Sequence, residues 1–273
     1  MLQISGLFIY PIKSLAGISV KSAKVTPTGF EHDRRWMLVD ENYKFISQRE
    51  VPIMALFKVV ILEDGVLVSY LTQNLKIPFT PLSNQEHVKV TIWDDTCEAL
   101  IVGAQFDSWF SDCLGMKCHL VYMPDNSKRQ VDEQYAKPGI ITSFSDAYPF
   151  LLIGQSSLDE LNSRLENPLP MNRFRPNIVF EGGAPFEEDN LAHIKIGNID
   201  FYGVKLCARC NVTTINQEDG ILGKEPLKTL AAYRRKNNKI YFGQNLIHEG
   251  NGAVTIGDNL TIIARNTMER FIV

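Results

Sequence analysis

The sequence predicts a mainly β protein that carries a few short helices. Apolar and polar residues alternate with a period of two along much of the first hundred residues, which is the pattern of half-buried strands. Turn-forming clusters of Asp, Asn, Glu and Gly separate these runs. Strands that follow one another through short turns are typical of antiparallel sheets and barrels rather than of alternating βαβ folds.

The first half of the chain contains most of the predicted strands and one predicted helix. The strands span residues 4–10, 35–39, 56–62, 65–70, 87–93 and 119–123. Turn signals at 40–42 and 63–65 predict two hairpins between the earlier strands. Apolar residues at positions i, i+3, i+4, i+7 and i+8 predict a helix at 105–114.

A polar segment at residues 124–139, rich in Asp, Lys and Gln, is predicted to be a long surface connection. We expect a domain boundary beside it, so that residues 1–120 form one unit and residues 121–273 a second.

The second half mixes strands with short helices. Strands are predicted at 150–153, 177–180, 193–196, 199–204, 254–256 and 260–264. Ser157 and Glu160 have the spacing of a capping box, which predicts the start of a helix at Ser157. Pro226 suits the first turn of another helix. Gly197 and Asn198 predict a tight hairpin turn.

Composition excludes several classes of function. The formal net charge is -3, and charges of both signs are scattered, so we expect no nucleic-acid partner. No run approaches the roughly 20 apolar residues of a membrane helix, and the first residues lack the charged region of a signal peptide. Five cysteines are an odd number that fits a reducing compartment, so we expect a cytoplasmic protein.

Cys207 and Cys210 form a C-x-x-C motif after a predicted strand. Spacing alone leaves a redox pair, half of a zinc site with Cys113 and Cys118, or two unrelated thiols open. The residues at 211–215 are β-formers, which argues against the helix that a thioredoxin-like pair opens. Arg209, between the two cysteines, is able to favour a thiolate by its charge.

Basic and hydroxyl residues at strand ends form a second group of candidates: Lys13, Ser14, Arg34 and Arg175. Such residues supply the charge, the bidentate donors and the hydroxyl that a phosphate group needs. Neither G-x-x-x-x-G-K-[ST] nor G-x-G-x-x-G is present, so nucleotide-binding loops of those types are not predicted. Asp146, before a proline-containing turn, is either a turn former or an acid or base at a pocket rim.

Five motifs in order extend over nearly the whole chain. They are YPIKS at 10–14, DRRW at 33–36, FSDA at 144–147, FRPNI at 174–178 and CARC at 207–210. In this order the sequence resembles the MOSC proteins and, within them, the mitochondrial amidoxime-reducing components and their bacterial relatives. The resemblance implies a MOSC-type β-barrel preceded by an N-terminal β-rich region.

The resemblance also implies a molybdenum ion held by the dithiolene of molybdopterin and by the thiolate of Cys210, with Cys207 as a neighbour. Asp146 corresponds to an acidic residue beside the metal, and Tyr148 stands where relatives often carry a small hydroxyl residue. The positions that match cofactor contacts are Lys13, Ser14 and Arg34 for the phosphate, and Tyr148, Arg175, Asn177, Ala208 and Arg209 for the rest of the cofactor.

The implied function is that of a molybdenum-dependent oxidoreductase that removes oxygen from N-hydroxylated small molecules, such as amidoximes and N-hydroxylated bases. The chain ends at Val273 without the cysteine cluster of a ferredoxin-like domain. We therefore expect electrons from a separate flavin or iron–sulfur protein. The alternative is a non-catalytic MOSC carrier that delivers molybdopterin or sulfur to a partner.

Overall fold

The structure, a computed structural model, describes residues 1–79 and 85–266. The first strands are β1 (Leu2–Ile9), β2 (Ile18–Ser19), β3 (Ser22–Thr26), β4 (Gly29–Phe30), β5 (Trp36–Val39), β6 (Lys58–Ile61), β7 (Gly65–Tyr70), β8 (Gln73–Pro78), β9 (His87–Ile92) and β10 (Asp95–Ile101). Helix α1 (Ala104–Leu114), β11 (His119–Tyr122), β12 (Arg129–Gln130) and β13 (Ile141–Thr142) follow.

The remaining elements alternate between strands and two helices. They are β14 (Phe150–Gly154), α2 (Gln155–Ser163), β15 (Ile178–Glu181), β16 (Leu191–Ile196), β17 (Ile199–Ala208), α3 (Leu227–Ala231), β18 (Arg235–Lys236), β19 (Lys239–Glu249), β20 (Gly252–Thr255) and β21 (Asn259–Arg265). The predicted class, mainly β with a few short helices, is confirmed.

Seven strands close into a barrel in the order β14, β15, β1, β21, β16, β17 and β19, and β19 returns to pair with β14. Its core is a cluster of apolar side chains that includes Leu7, Phe150, Phe180, Phe201 and Leu246. Because closure pairs every edge, the barrel leaves no open strand at its seam. Strand β1 brings the N-terminus into the barrel, and the predicted boundary at residue 120 stays a prediction.

Most of the N-terminal strands outside the barrel form two smaller sheets, one of β5, β11, β10 and β9 and one of β6, β7 and β8, while β4, β3 and β20 form a third. Helix α1 packs its buried Phe106 and Phe110 against Phe57 and Leu120. The helix therefore closes this second core, as its spacing predicts.

The hairpin predicted at 63–65 forms between β6 and β7, but the hairpin predicted at 40–42 is wrong. Strand β5 pairs with the distant β11 instead. The chain does turn after Asp40, but its return makes only isolated bridges, such as the one between Val39 and Phe45. It then enters a 3-10 helix that begins at Pro52, where proline cannot donate to a ladder.

The capping box predicted at Ser157 is also wrong. Helix α2 begins earlier, at Gln155, and its N-cap is Gly154. Ser157 lies inside the helix, where its hydroxyl donates to Glu188 Oε2 at 2.8 Å and accepts from the Phe186 backbone N–H at 2.8 Å. The hydroxyl is therefore used for a tertiary contact with a buried carboxyl group.

Glu188 makes the stability of the protein depend on pH. Burial, reinforced by the neighbouring Asp189, raises the pKa of Glu188 from 4.5 to about 7. Between pH 4.5 and pH 7, therefore, Glu188 is protonated in the folded protein and ionised in the unfolded chain. The contribution of Glu188 to the free energy of unfolding is fully present below about pH 4.5. It falls by about 3 kcal/mol as the pH rises to 7.

We expect Glu188→Gln to remove this loss, because the amide keeps the contact with Ser157 and carries no charge. Urea unfolding at pH 5 and pH 8 tests the prediction. The difference in unfolding free energy between wild type and variant should change by about 2.5 kcal/mol between the two pH values, with the variant favoured at pH 8. Parallel curves for the two proteins would contradict it.

Candidate functional site

A pocket of about 310 Å³ opens between β17, β19 and the loops that precede β5, β14 and β15. Eight of the predicted site residues line it: Arg34, Asp146, Tyr148, Arg175, Asn177, Ala208, Arg209 and Cys210. Lys13 and Ser14 are not among the lining residues. The volume is at the lower end of the range for small-molecule sites.

Cys210 is exposed at this pocket, two residues after the end of β17. The residues that follow it, Asn211–Thr214, form a short 3-10 helix although they are β-formers. The hydroxyl of Thr213 donates to the Cys210 carbonyl oxygen, and that of Thr214 donates to the Asn211 carbonyl oxygen. These local bonds offer the β-branched residues an alternative to a sheet ladder.

Arg209 contacts Cys207 rather than Cys210. Its Nη1 donates to Cys207 Sγ at 2.9 Å and its Nη2 donates to the Phe174 carbonyl oxygen at 2.6 Å. Burial raises the pKa of Cys207 even though Arg209 opposes the shift. Cys207 is therefore a thiol at neutral pH. Of the two cysteines that line the pocket, Cys210 is the more exposed.

Arg34 and Arg175 lie against one aromatic ring. Each guanidinium carbon is 4.3 Å from the centroid of the Tyr10 ring, whose hydroxyl donates to the buried Pro176 carbonyl oxygen. Burial lowers the pKa of Arg175 to about 10, so the group stays charged at neutral pH. Two like charges this close favour a ligand that carries negative charge.

Three predicted site residues adopt left-handed backbone: Ser14 at φ 69°, Arg34 at φ 49° and Arg175 at φ 55°. This conformation is uncommon for residues other than glycine and concentrates at functional sites. All three residues lie in loops: Ser14 follows β1, Arg34 precedes β5 and Arg175 precedes β15.

Lys13 reaches the pocket only through Asp146. Lys13 Nζ donates to Asp146 Oδ1 at 2.8 Å and to the Phe144 carbonyl oxygen at 2.7 Å. Burial lowers the pKa of Lys13 to about 8, although Asp146 opposes the shift. The pocket walls partly desolvate Asp146, but Lys13, Arg34 and Arg129 outweigh this and hold the pKa of its carboxyl well below the usual range.

Ser14 lies beside a buried amide pair. Its carbonyl oxygen accepts from Gln48 Nε2 at 2.7 Å, and Gln48 exchanges hydrogen bonds with Gln217. These contacts tie the first motif to the segment after Cys210. The phosphate contacts assigned to Lys13 and Ser14 by resemblance stay predictions.

Two buried polar atoms of the pocket residues, Arg209 Nε and Tyr148 Oη, have no hydrogen-bond partner among the described residues. Among the described residues, no carboxylate forms an ion pair with Arg175. Buried polar groups without partners are rare. A thiol, surplus guanidinium charge and unused donors fit an anionic, thiol-ligated cofactor such as molybdenum-molybdopterin.

The sequence did not identify the outer wall of the pocket. Lys205, Tyr241 and Asn245 line it, and Tyr135 lies with its ring centroid 4.1 Å from Lys205 Nζ. Tyr241 and Asn245 come from β19, which no predicted strand covered. Tyr135 comes from the segment predicted as a surface connection.

Clustered metal ligands are absent from this pocket and from the other described residues alike. Together these residues contain no group of three or more His, Cys, Asp or Glu side chains placed to hold a metal ion. Cys113 and Cys118 therefore do not complete a four-cysteine zinc site. A larger cavity of about 470 Å³ beside His32, Arg35 and Trp36 contains none of the predicted site residues. Within the described part of the chain, no helix is long and apolar enough to cross a bilayer.

The fold and the site define a β-barrel protein with a guanidinium-lined pocket around an accessible thiol. The chain belongs to the MOSC family. Residues 1–117 match the MOSC N-terminal beta barrel domain, and residues 141–261 match the MOSC domain.

Amidoxime-reducing components and molybdenum cofactor sulfurases are among the proteins similar to this chain. The mitochondrial amidoxime-reducing component 1 of Mus musculus is 31% identical, over 96% of this chain and 82% of that protein. The human protein of the same name is 30% identical, over 96% of this chain and 83% of its own length. The molybdenum cofactor sulfurase of Oryza sativa is 32% identical over 97% of this chain, but the match spans only 34% of the sulfurase.

Proposed function

We propose that this protein is a cytoplasmic, molybdenum-cofactor-dependent oxidoreductase that reduces N-hydroxylated compounds, with electrons from a separate flavin or iron–sulfur protein. The observation that carries the proposal is the accessible Cys210 thiol in a pocket lined by Arg34, Arg175 and Arg209. The amidoxime-reducing relatives support it, since their match covers most of their own length.

When bound, the cofactor supplies two-electron chemistry that protein side chains lack. Cys210 is the residue that would ligate the metal, because a thiolate is the soft ligand of the set. Arg34 and Arg175 neutralise the negative charge of the cofactor, and Arg209 has an unused Nε donor for it. Each charged hydrogen bond stabilises binding by about 1.5–3 kcal/mol.

Asp146 serves as an anion rather than as an acid. Its carboxyl is ionised at neutral pH, and its side chain is 77% exposed in the pocket. Lys13 holds a transferable proton 2.8 Å from Asp146 Oδ1. Reduction of an N–O bond consumes protons, and this pair can hold one at the edge of the site.

The second candidate is a carrier that binds the cofactor or sulfur and passes it to a partner. The match to molybdenum cofactor sulfurases favours it. A carrier needs the same thiol and cation-lined pocket but no route for substrate or electrons.

We expect protein made in a cofactor-competent host to contain molybdenum and to convert an amidoxime to its amidine with reduced viologen alone. A reductase turns over without its protein donor, whereas a carrier does not. Metal content, the released pterin and amidine formation are measured on one preparation. Bound molybdenum without turnover would favour the carrier, and absence of molybdenum and pterin would refute both the reductase and a carrier of the cofactor.

A further inference from the structure

A buried arginine, Arg129, forms hydrogen bonds with the backbone of the loop at residues 143–146, which carries Asp146. Arg129 is only 3% exposed. Its Nη1 donates to the carbonyl oxygens of Ser143 at 3.1 Å and Ser145 at 2.5 Å, and its Nη2 donates to that of Asp146 at 3.2 Å. One guanidinium thus fixes three carbonyl groups in four residues.

The remaining carbonyl of the loop is fixed by a second buried cation. The oxygen of Phe144 accepts from Lys13 Nζ, and the Phe144 backbone N–H donates to the Arg34 carbonyl oxygen at 3.0 Å. The loop backbone therefore bonds to Arg129, Lys13 and Arg34, and its only exposed charged side chain is that of Asp146.

Arg129 is anchored by a single carboxylate outside the loop. Its Nε and Nη2 donate to Asp95 Oδ2 at 2.9 and 2.7 Å, and the Asp95 side chain is 49% exposed. Asp95 begins β10, so the anchor lies on the N-terminal sheet. A buried guanidinium is destabilising unless its N–H groups form hydrogen bonds. Most of the N–H groups of Arg129 donate to carbonyl oxygens of the loop.

We propose that Arg129 is a positioning residue that fixes the 143–146 loop and holds the Asp146 carboxylate at the rim of the pocket. The planar guanidinium group is suited to this role because its N–H groups donate to several carbonyl oxygens in fixed directions, whereas the ammonium group of a lysine is a point charge. Its charge also favours the ionised form of Asp146. As far as it concerns turnover, this inference rests on the proposed function.

The test compares Arg129→Met with Asp95→Asn, which keeps the guanidinium and its loop bonds. For Arg129→Met we expect at least a tenfold lower kcat on an amidoxime, a KM within twofold of wild type, and an acid limb of the kcat profile displaced to higher pH. For Asp95→Asn, kcat and the profile should stay within twofold of wild type. A variant with wild-type kcat per folded molecule and an unmoved acid limb would overturn the proposal, even if it were less stable.

Two further measurements separate this inference from the proposed function. Amide hydrogen exchange of the 143–147 segment, measured on protein without cofactor, should be at least tenfold faster in Arg129→Met and unchanged in Asp95→Asn. If Arg129→Met does not fold, Arg129→Lys takes its place. The same measurements should then show at least threefold effects, because lysine lacks the guanidinium group that bonds several carbonyl oxygens at once. Unchanged exchange in the folded variant would refute the inference, whereas faster exchange in a protein without reductase activity would refute only the proposed function.

Discussion

Replacing Cys210 with serine should leave less than a tenth of the wild-type molybdenum bound and no measurable reduction of an amidoxime. Serine preserves the size of the side chain but offers a hydroxyl, which is not deprotonated at neutral pH and is a harder ligand than a thiolate. Cys210 is the more exposed of the two cysteines that line the pocket. Metal analysis and turnover with reduced viologen measure the effect.

Cys207→Ser is the matched control, because Cys207 lines the same pocket three residues earlier. Its sulfur accepts from Arg209 Nη1, and a serine hydroxyl can accept the same bond. We expect molybdenum content close to wild type and a kcat lowered by less than fivefold. Equal loss in both variants would indicate a paired-cysteine site, and full metal content in Cys210→Ser would remove the basis of the molybdenum assignment.

Local alternation predicted several of the strands, although β3 and β10, which also alternate in burial, were missed. Residues 65–70 have this pattern and form β7 within the same bounds. Strand β19 has eleven residues and closes the barrel, yet it was missed. Gly243 at φ 83° and the fully buried Gln244 break its alternation, and Gln244 Nε2 donates to the Leu191 carbonyl oxygen. A tertiary hydrogen bond of this kind leaves no periodic signal in the sequence.

The candidate site was predicted through motifs rather than through geometry. The motifs around Arg34, Arg175 and Cys210 meet at one pocket, although they are far apart in sequence. Which cysteine Arg209 contacts could not be predicted, because a side chain at the end of a strand can turn to either neighbour. Arg129 was missed because it lies in a polar segment, where arginine is usually solvated, and its burial depends on carbonyl groups of another loop.

Asp33→Ala should destabilise the protein more than any substitution at the pocket surface. Asp33 is 1% exposed, and its two oxygens have different partners. Oδ1 accepts from the Tyr10 backbone N–H at 2.8 Å, and Oδ2 accepts from Arg34 Nη1 at 2.5 Å. Removing one member of a buried ion pair typically costs about 3–5 kcal/mol, since the other charge is left without compensation. The Arg34 side chain is 13% exposed at the pocket, which places the expected loss near 3 kcal/mol.

The Asp33 variant also tests how Arg34 is held in place. Arg34 Nη1 has a second acceptor, Asn177 Oδ1 at 3.0 Å, so the guanidinium keeps one neutral contact when Asp33 is replaced. Asp33→Asn retains an acceptor for the Tyr10 N–H and should lose less stability than Asp33→Ala in urea unfolding at pH 7. Both variants should bind the cofactor more weakly, because the carboxylate no longer orients Arg34 towards the pocket. If Asp33→Ala unfolds within 1 kcal/mol of wild type, the pair does not stabilise the fold, and Arg34 must be positioned by its other contacts, which are Tyr10, Asn177 and the Arg175 carbonyl oxygen.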